Sequence, residues 1–223
     1  DSEDGMQSCL RDYWDRRYDE ASAPEEWYCG AADLASMLCW AAGGRGKDAT
    51  LLHVGCGTSQ LPLASAQAIS MDMSLPALNS RRRRAEEELL AADLNTLPFR
   101  SASFDIVLDK GAADREELLA ADLNTLPFRS ASFDIVLDKG TFDWVVLSLL
   151  IAEDRDERLA RLRDELLRVL RPGGRLVVVT GLGGTSEDPY HFLACDGPGW
   201  AGVRSRAFDD MEQNYRCYSF ART

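Results

Sequence analysis

Two glycines and one carboxylate form the clearest chemical signal in the sequence. The segment LLHVGCGTSQ (51–60) is an apolar run that ends in Gly55 and Gly57. This is typical of a buried parallel strand entering a tight turn, where Gly57 lets a ligand approach the backbone without meeting a Cβ atom. A second apolar run, AISMD (68–72), ends in Asp72. A carboxylate there can accept both hydroxyl groups of a ribose, so we predict a nucleoside site.

The turn lacks the third glycine of a dinucleotide-binding fingerprint. Gln60 occupies that position, and a pyrophosphate fits less well without the glycine. A ligand with an adenosine group but no diphosphate fits better, and S-adenosylmethionine is the obvious one. The alternative for Asp72 is a carboxylate that caps a strand end or a helix. Because Gly55 and Asp72 are only 17 residues apart, the crossover helix near 59–67 should be short, with Pro62 inside it.

The elements that must position these residues alternate between strand and helix. Helices are predicted over 6–20, near 29–42 and over 153–170, where leucines recur at spacings of three and four. Further buried strands are predicted at FDIVLDKG and, after a helix stop at RPGG, at RLVVVT (175–180). The last segments, GVRSRAF and NYRCYSFAR, mix polar and apolar residues as an antiparallel pair does. We therefore predict an α/β fold with a doubly wound, mostly parallel, seven-stranded sheet and a C-terminal antiparallel hairpin.

One segment of the chain is written twice. Residues 87–111 and 116–140 are identical over 25 positions, and each copy contains FDIVLDKG. Two identical units do not make a solenoid, so the identity indicates a recent duplication or an error in the gene model. Only the second copy runs on into TFDW, and we predict that it supplies the site. The first copy, with Asp93 and Lys110, is then an insertion that packs at a sheet edge or lacks fixed structure.

The amino-acid composition limits the kinds of partner that we expect the protein to bind. The chain has 223 residues, and 25 Lys and Arg against 37 Asp and Glu give a net charge of −12. Such a surface repels phosphate backbones, so we expect no nucleic-acid partner. The longest apolar stretch, 144–152, is too short to span a bilayer, so we expect no membrane association. The six cysteines form no C-x-x-C pair and the chain has two histidines, which predicts reduced thiols and no metal site.

Several motifs in a fixed order resemble a known family. They are DYWDRRY (12–18), EEWY (25–28), LHVGCGTS (52–59), MDMS (71–74), ADLNTLPFRSASFDIVLDKGTFD (121–143) and VLRPGGRLVVVT (169–180). The series resembles the class I methyltransferase-like lysine methyltransferases. It is most similar to those that act on translation elongation factor 1-alpha, with the citrate synthase lysine methyltransferase as a cousin. The resemblance implies a single Rossmann-like class I methyltransferase domain over residues 1–223 and S-adenosyl-L-methionine as cofactor.

The resemblance also implies which residues hold the cofactor. In this family the aromatic residues of the YWDxRY helix fold over the cofactor; here they are Trp14 and Tyr18, and Trp27 adds a third wall. Flat aromatic rings suit a site that must desolvate and attract a sulfonium, although packing into the core is the alternative for them. The other implied residues lie in the glycine turn, after the second strand and in the second copy: Gly55, Gly57, Asp72, Met73, Asp122, Leu123, Asp138 and Lys139. For Asp138 and Lys139 the alternative is a buried ion pair.

The reaction implied by the resemblance is methyl transfer to a lysine side chain of a protein. An in-line displacement at a sulfonium needs no nucleophilic Ser or Cys and no metal, because alignment can supply most of the rate. The lysine must first lose its proton, which costs about 4 kcal/mol near neutral pH. Asp143 and Trp144, just past the DKG turn, are predicted as catalytic residues on the acceptor side. A small-molecule methyltransferase and a non-catalytic binding module on the same fold are the alternatives.

Partners and location follow as expectations. We expect a protein substrate that presents a lysine, with a translation elongation factor as a candidate, and we expect a monomer. No charged-then-apolar leader opens the sequence, so we expect a cytoplasmic protein. A mitochondrial location is the alternative if a leader has been removed.

Overall fold

The fold is taken from a computed structural model of the chain. It describes residues 11–19, 26, 28–42, 49–59, 67–81, 87–93, 97, 99, 103–110, 125–149, 153–182, 199–210 and 213–223. The predicted crossover helix near 59–67 lies, apart from its two ends, outside the described residues. Among the described helices, none is long and apolar enough to cross a membrane.

Helices and strands alternate along the described chain. The helices are α1 (residues 11–19), α2 (Ala31–Ala42), α3 (Leu75–Ser80), α4 (Thr141–Leu149) and α5 (Arg155–Val169). The strands are β1 (Thr50–Val54), β2 (Gln67–Asp72), β3 (Glu87–Ala91), β4 (Ile106–Asp109), β5 (Phe133–Lys139), β6 (Leu170–Thr180), β7 (Trp200–Asp210) and β8 (Gln213–Arg222). The helices predicted near 29–42 and over 153–170 are both present, the first two residues and the second three residues shorter than predicted.

The strands form one sheet in the order β3-β2-β1-β4-β5-β6-β8-β7. Neighbours from β3 to β6 are parallel, whereas β8 pairs antiparallel with both β6 and β7. This confirms the α/β class, the mostly parallel sheet and the C-terminal antiparallel hairpin. The sheet of the described residues has eight strands, one more than predicted, because both copies of FDIVLD form a strand.

The FDIVLD strand of the first copy, β4, lies in the centre of the sheet. It pairs with β1 on one side and with β5 on the other, so that Ile106 lies opposite Ile135. The position of β4 contradicts the prediction that this copy packs at an edge or lacks fixed structure, whereas β3 (Glu87–Ala91), which belongs to the same copy, is an edge strand of the sheet. An apolar strand buries more surface between two parallel neighbours than at an edge, and Leu108 is fully buried here.

Apolar side chains of the central strands alternate between two covered faces. Val107 and Val136 belong to the core on the face covered by α4 and α5. Leu108 and Leu137, one position further along, belong to the core on the opposite face, which is covered by α2. This alternation is what strands with both faces buried require. The near-continuous apolar run of each copy is thus explained by its place between two helical layers.

The RPGG segment is part of a strand rather than a separate stop. The helix α5 ends at Val169, and β6 begins at the next residue, Leu170, earlier than predicted. The pairing of β6 with β5 shifts register between Phe133 and Ile135. A Cβ atom at Gly174 would lie 2.8 Å from the carbonyl oxygen of Arg171, so glycine permits this irregular start.

Candidate active site

The candidate site lies at the edge of the sheet where the parallel strands end. In doubly wound folds, ligands bind outside these carboxyl ends. Here the end of β1 leads into the glycine turn, β2 ends at Asp72, β4 at Asp109 and β5 at Lys139. The residue types predicted to hold a nucleoside and an acceptor are therefore delivered to one edge by neighbouring strands.

The glycine turn and Asp72 are in direct contact. Gly55 and Gly57 have φ angles of 58° and 52°, in the left-handed region that favours glycine. The Gly57 N–H donates to Asp72 Oδ2 at 2.7 Å, and the Ser74 N–H donates to Oδ1 at 2.8 Å. Burial raises the pKa of Asp72, while these two backbone donors act in the opposite direction. Because Ser74 is the N-cap residue of α3, Asp72 is not its helix cap.

The aromatic residues of α1 lie on the glycine turn. The rings of Trp14 and Tyr18 are stacked, with centroids 5.5 Å apart and planes inclined by 20°. A Cβ atom at Gly57 would lie 2.5 Å from the Tyr18 hydroxyl, so Tyr18 fills the space that the glycine leaves. The Arg17 guanidinium carbon lies 5.7 Å from the Trp14 ring centre, an attractive arrangement. Two of the three aromatic residues predicted to line the cofactor site, Trp14 and Tyr18, are thus beside the glycine turn.

Two Asp-Lys pairs lie side by side because the two copies pair in register. Asp109 is opposite Asp138, and a lysine follows each. Lys139 is fully buried and Lys110 is nearly so. Their Nζ atoms lie 3.2 Å and 3.8 Å from Glu26 Oε2, so the carboxylate paired with Lys139 is Glu26 and not Asp138. Burial lowers the pKa of Lys110 to about 8, although Glu26 acts in the opposite direction.

Asp138 is a buried carboxyl at the start of α4. One oxygen, Oδ1, accepts the Phe142 N–H at 3.1 Å. The other, Oδ2, is buried with no hydrogen-bond partner among the described residues. Burial first, and then the carboxylates of Asp109 and Asp143, raise the pKa of Asp138 well above its usual range. Burial and these neighbours shift Asp138 toward protonation, and a protonated carboxyl group can donate a hydrogen bond.

The acceptor side of the edge is organised around Tyr28. Its hydroxyl donates to Asp143 Oδ2 at 2.8 Å, and the Gly181 N–H donates to the same oxygen at 3.0 Å. Tyr28 has a φ of 63°, which is strained for a side chain of this size. A Cβ atom at Gly140 or Gly181 would collide with its ring, so both glycines are needed where Tyr28 packs. Burial, with Asp143 adding to it, raises the pKa of Tyr28 and keeps the phenol neutral.

The structure describes only some of the remaining residues that were predicted for the site. Met73 is half-buried next to Asp72. Trp144 lies in α4, but its side chain is outside the described part of the molecule, as are Trp27, Asp122 and Leu123. The roles assigned to these four residues stay predictions.

Residues of the first copy lie beside Asp72. They form β3, which lies beside β2 with Ala91 opposite Asp72. The Ala92 N–H donates to the Asp72 carbonyl oxygen at 3.1 Å, and Asp93 follows directly. The acidic residue that this topology brings next to Asp72 is therefore Asp93.

Sequence reasoning did not single out two residues that lie at the carboxyl edge of the sheet, Glu26 and Tyr28. Glu26 contacts both lysines and accepts a hydrogen bond from Ser59 Oγ at 2.6 Å. Tyr28 holds Asp143. Both lie in the quoted EEWY segment, where only Trp27 was singled out. The available signal was the cluster of polar and aromatic residues just before α2, but the residues that contact it are distant in sequence.

Solved structures of low sequence identity share this fold. The N-methyltransferase NodS from Bradyrhizobium japonicum WM9, crystallised with S-adenosyl-l-homocysteine, has a TM-score of 0.51 at 11% identity, over 95% of this chain and 97% of that one. The 1,6-didemethyltoxoflavin-N1-methyltransferase from Burkholderia thailandensis has a TM-score of 0.52 at 15% identity, over 100% of this chain and 91% of that one. At these identities the likeness shows the fold alone.

A match to a sequence-family model identifies the family more strongly than the similar folds do. The model described as a methyltransferase domain matches residues 52–114 and again residues 108–178. The two matches overlap at the end of β4, so each copy of the duplicated strand falls within a match. Together they span 52–178, more than half of the 223-residue chain. The chain belongs to the methyltransferase domain family, whose methyl donor is S-adenosylmethionine.

Proposed function

We propose that this S-adenosylmethionine-dependent methyltransferase transfers methyl groups to the amine of a lysine side chain in a protein. The observation that carries the cofactor site is the contact of Gly57 with Asp72 on one side and Tyr18 on the other. The observation that favours a lysine acceptor is that burial at the same edge of the sheet lowers the pKa of Lys110 to about 8.

The residue types at the glycine turn fit the cofactor. When bound, S-adenosylmethionine supplies an electrophilic methyl group on a sulfonium. Asp72 is placed to accept ribose hydroxyls, since each carboxylate oxygen has a second lone pair beyond its backbone donor. Gly57 lets the ligand approach the backbone, and Trp14 and Tyr18 provide aromatic faces that exclude water and attract a cation. Because Tyr18 fills the space above Gly57, its side chain must give room on binding.

The acceptor amine must be neutral before it can attack. A free lysine holds its proton, and removing it near neutral pH costs about 4 kcal/mol. Burial at this edge lowers the pKa of Lys110 to about 8, and the pKa of a substrate lysine desolvated here would be shifted in the same direction. The Tyr28 hydroxyl donates its proton to Asp143, and its oxygen keeps a lone pair with which it can accept a hydrogen bond from such an amine. Asp143 thus acts as a positioning residue through Tyr28.

The chemistry of the surface also favours a protein acceptor. The net charge of −12 attracts a basic segment of a partner. Elongation factor 1-alpha is the first candidate, on the resemblance of the DYWDRRY, EEWY and DKGTFD motifs. The second candidate function is methylation of a small-molecule amine. It is favoured by the two similar folds, which are N-methyltransferases, one of them crystallised with 1,6-didemethyltoxoflavin.

The cofactor site is tested by calorimetry with S-adenosylhomocysteine. We expect wild-type protein to bind and Asp72→Ala to lose roughly tenfold to a hundredfold in affinity, the usual effect of removing a charged hydrogen-bond partner. Asp134→Ala is the matched control, because Asp134 lies at the opposite end of β5 and pairs with Arg171. Absence of heat from the wild type, or equal losses in both variants, would contradict the proposal.

The acceptor class is tested with radiolabelled S-adenosylmethionine and a cell lysate. Label that appears in a protein band, and is lost with Asp72→Ala, supports a protein acceptor. Label that appears only in the small-molecule fraction supports the second candidate. Purified elongation factor 1-alpha should be labelled on lysine if the resemblance extends to the substrate.

A further inference from the structure

A cavity lies between the sheet and the helices α4 and α5. Its volume is about 50 Å³, and Asp109 and Asp138 are among the residues that line it. The other described residues that line it are apolar and include Val107, Val136 and Leu166. A cavity of roughly 150 Å³ holds benzene, so this one suits a ligand with fewer atoms.

The pairing of two strands places both carboxyl groups on one face of the sheet. Asp109 lies opposite Asp138 in neighbouring parallel strands, and side chains at paired positions share a face. Val107 and Val136, two positions earlier, belong to the core covered by α4 and α5. The two carboxyl groups therefore face these helices, whereas the lysine that follows each of them faces the side of α2. The cavity is thus separate from the contacts of Glu26.

Asp138 has one carboxyl oxygen that no described residue hydrogen-bonds. The residue is 1% exposed. Its Oδ1 accepts the Phe142 N–H at 3.1 Å, while Oδ2 is buried without a hydrogen-bond partner among the described residues. Burial, and then the carboxylates of Asp109 and Asp143, raise the pKa of Asp138, against the N–H groups of Phe142 and Gly140. When protonated, Oδ2 can donate a hydrogen bond to a ligand that enters the cavity.

The walls of the cavity restrict the charge of its ligand. A charged ligand would exchange water for mostly apolar walls, which is costly. A neutral ligand with an apolar body gains from the same burial. We propose that the cavity binds a small neutral molecule with an apolar body and a carbonyl oxygen, and that this oxygen accepts a hydrogen bond from Asp138. The site goes beyond the proposed function and does not depend on it. Water that fills the cavity is the competing explanation.

The first test compares two ligands of the same shape. Acetone carries the carbonyl oxygen, and isobutene has a methylene group in its place. Each is titrated into the full chain with isotope-labelled Val and Leu methyl groups, and binding is followed by NMR chemical shifts. We expect both ligands to shift the methyl signals of Val107, Val136 and Leu166, which line the cavity. The signals of Leu108 and Val177, in the core on the opposite face, should stay unchanged.

The second test removes the hydrogen-bond donor. Asp138→Leu should weaken acetone binding roughly tenfold and should not weaken isobutene binding, because only acetone accepts a hydrogen bond. Asp138→Asn keeps an N–H donor and should bind acetone within about threefold of wild type. Asp138→Val provides a second apolar variant if Asp138→Leu fails to fold. Asp134→Leu is the matched control, since Asp134 lies on the same strand but pairs with Arg171.

The proposal would be overturned by any of three results. If neither ligand shifts a lining methyl signal at tens of millimolar, a concentration at which such small ligands bind, the cavity belongs to water. If Asp138→Leu weakens acetone and isobutene equally, the hydrogen bond is absent. If S-adenosylhomocysteine displaces acetone, the cavity is part of the cofactor site. Binding of acetone by a protein that does not bind S-adenosylhomocysteine would instead overturn the proposed function and leave this site standing.

Discussion

The two copies of the duplicated segment allow one sequence to be compared in two places. In the first copy, Phe99 and Phe104 meet edge-to-face with ring centroids 4.9 Å apart at 85°. In the second copy, Phe128 and Phe133 meet at 4.8 Å and 86°. Each copy then continues into a buried strand. The local structure of this segment is therefore set by its own residues and repeats almost unchanged.

The surroundings of the two copies differ. The strand β4 lies between β1 and β5, whereas β5 lies between β4 and β6. The helix α4 follows the second copy directly, and its Phe142 N–H is accepted by Asp138. Asp105 in the first copy accepts hydrogen bonds from Thr50 and lies 3.5 Å from Arg171, while Asp134 in the second copy is hydrogen-bonded to the same arginine. Identical residues thus acquire partly different partners.

Both copies of the duplicated segment contribute residues to the candidate site. The first copy provides β3, Asp93 and Lys110, and the second provides Asp138, Lys139 and the connection to α4. The candidate site therefore includes described residues from both copies. In-register pairing of two identical strands is also what doubles the Asp-Lys pair at the carboxyl edge.

The largest effect is expected from equivalent leucines in the two strands. Leu108 and Leu137 are both fully buried on the face covered by α2. Each Leu→Ala substitution should lower the free energy of unfolding by about 2–5 kcal/mol through lost burial and a residual cavity. Urea denaturation followed by circular dichroism measures both variants against wild type.

The control for this pair is Leu147→Ala. Because Leu147 in α4 is 42% exposed, this substitution should lower the free energy of unfolding far less. A cost for Leu108→Ala no larger than that of the control, with Leu137→Ala costing several times more, would mean that the first copy is not a central strand.

An intermediate effect is expected at the acidic residue of ADL in each copy. Asp93 follows β3 beside Asp72, and in the resembling family this residue receives the adenine amino group. Asp93→Ala should weaken S-adenosylhomocysteine by roughly tenfold. Asp122→Ala is its matched counterpart from the second copy, and calorimetry on both compares the copies directly. The original assignment to Asp122 would be supported instead if Asp122→Ala caused the larger loss.

The smallest effect concerns the pH dependence of stability. Burial lowers the pKa of Lys110 from 10.5 to about 8, so between these pH values the unfolded chain binds more protons than the folded protein. The free energy of unfolding should therefore rise with pH through this window by at most about 1 kcal/mol per pH unit. Lys110→Met should remove this rise. Urea denaturation at intervals between about pH 7.5 and 9 measures the slope.

Buried thiols make an opposing contribution near the upper end of this window, so the Lys110 contribution is read as the difference between the wild-type and Lys110→Met slopes. Burial raises the pKa of Cys56 from 9.0 to about 12, so at higher pH the folded state is penalised relative to an ionising unfolded chain. Arg161→Met, which removes an exposed charge on α5, is the control and should keep the wild-type slope. Identical slopes for Lys110→Met and wild type would show that Lys110 is not a buried ammonium.

The sequence by itself determined the elements and the type of site. Apolar runs ending in Gly55, Asp72 and the DKG turns were enough to predict parallel strands and a nucleoside site, because strand propensity and turn chemistry are local properties. The leucine spacing that predicts α5 is local for the same reason. The class of fold followed from the alternation of such elements.

Only the tertiary structure decided where the identical strands lie and which charges meet. Two copies of one sequence have the same local preferences, so their order in the sheet depends on contacts with β1 and β6, which are distant in the chain. The same holds for Glu26 with Lys139 and for Tyr28 with Asp143, pairs separated by more than a hundred residues. Such contacts arise from packing of the whole sheet and its helical layers, which no local pattern encodes.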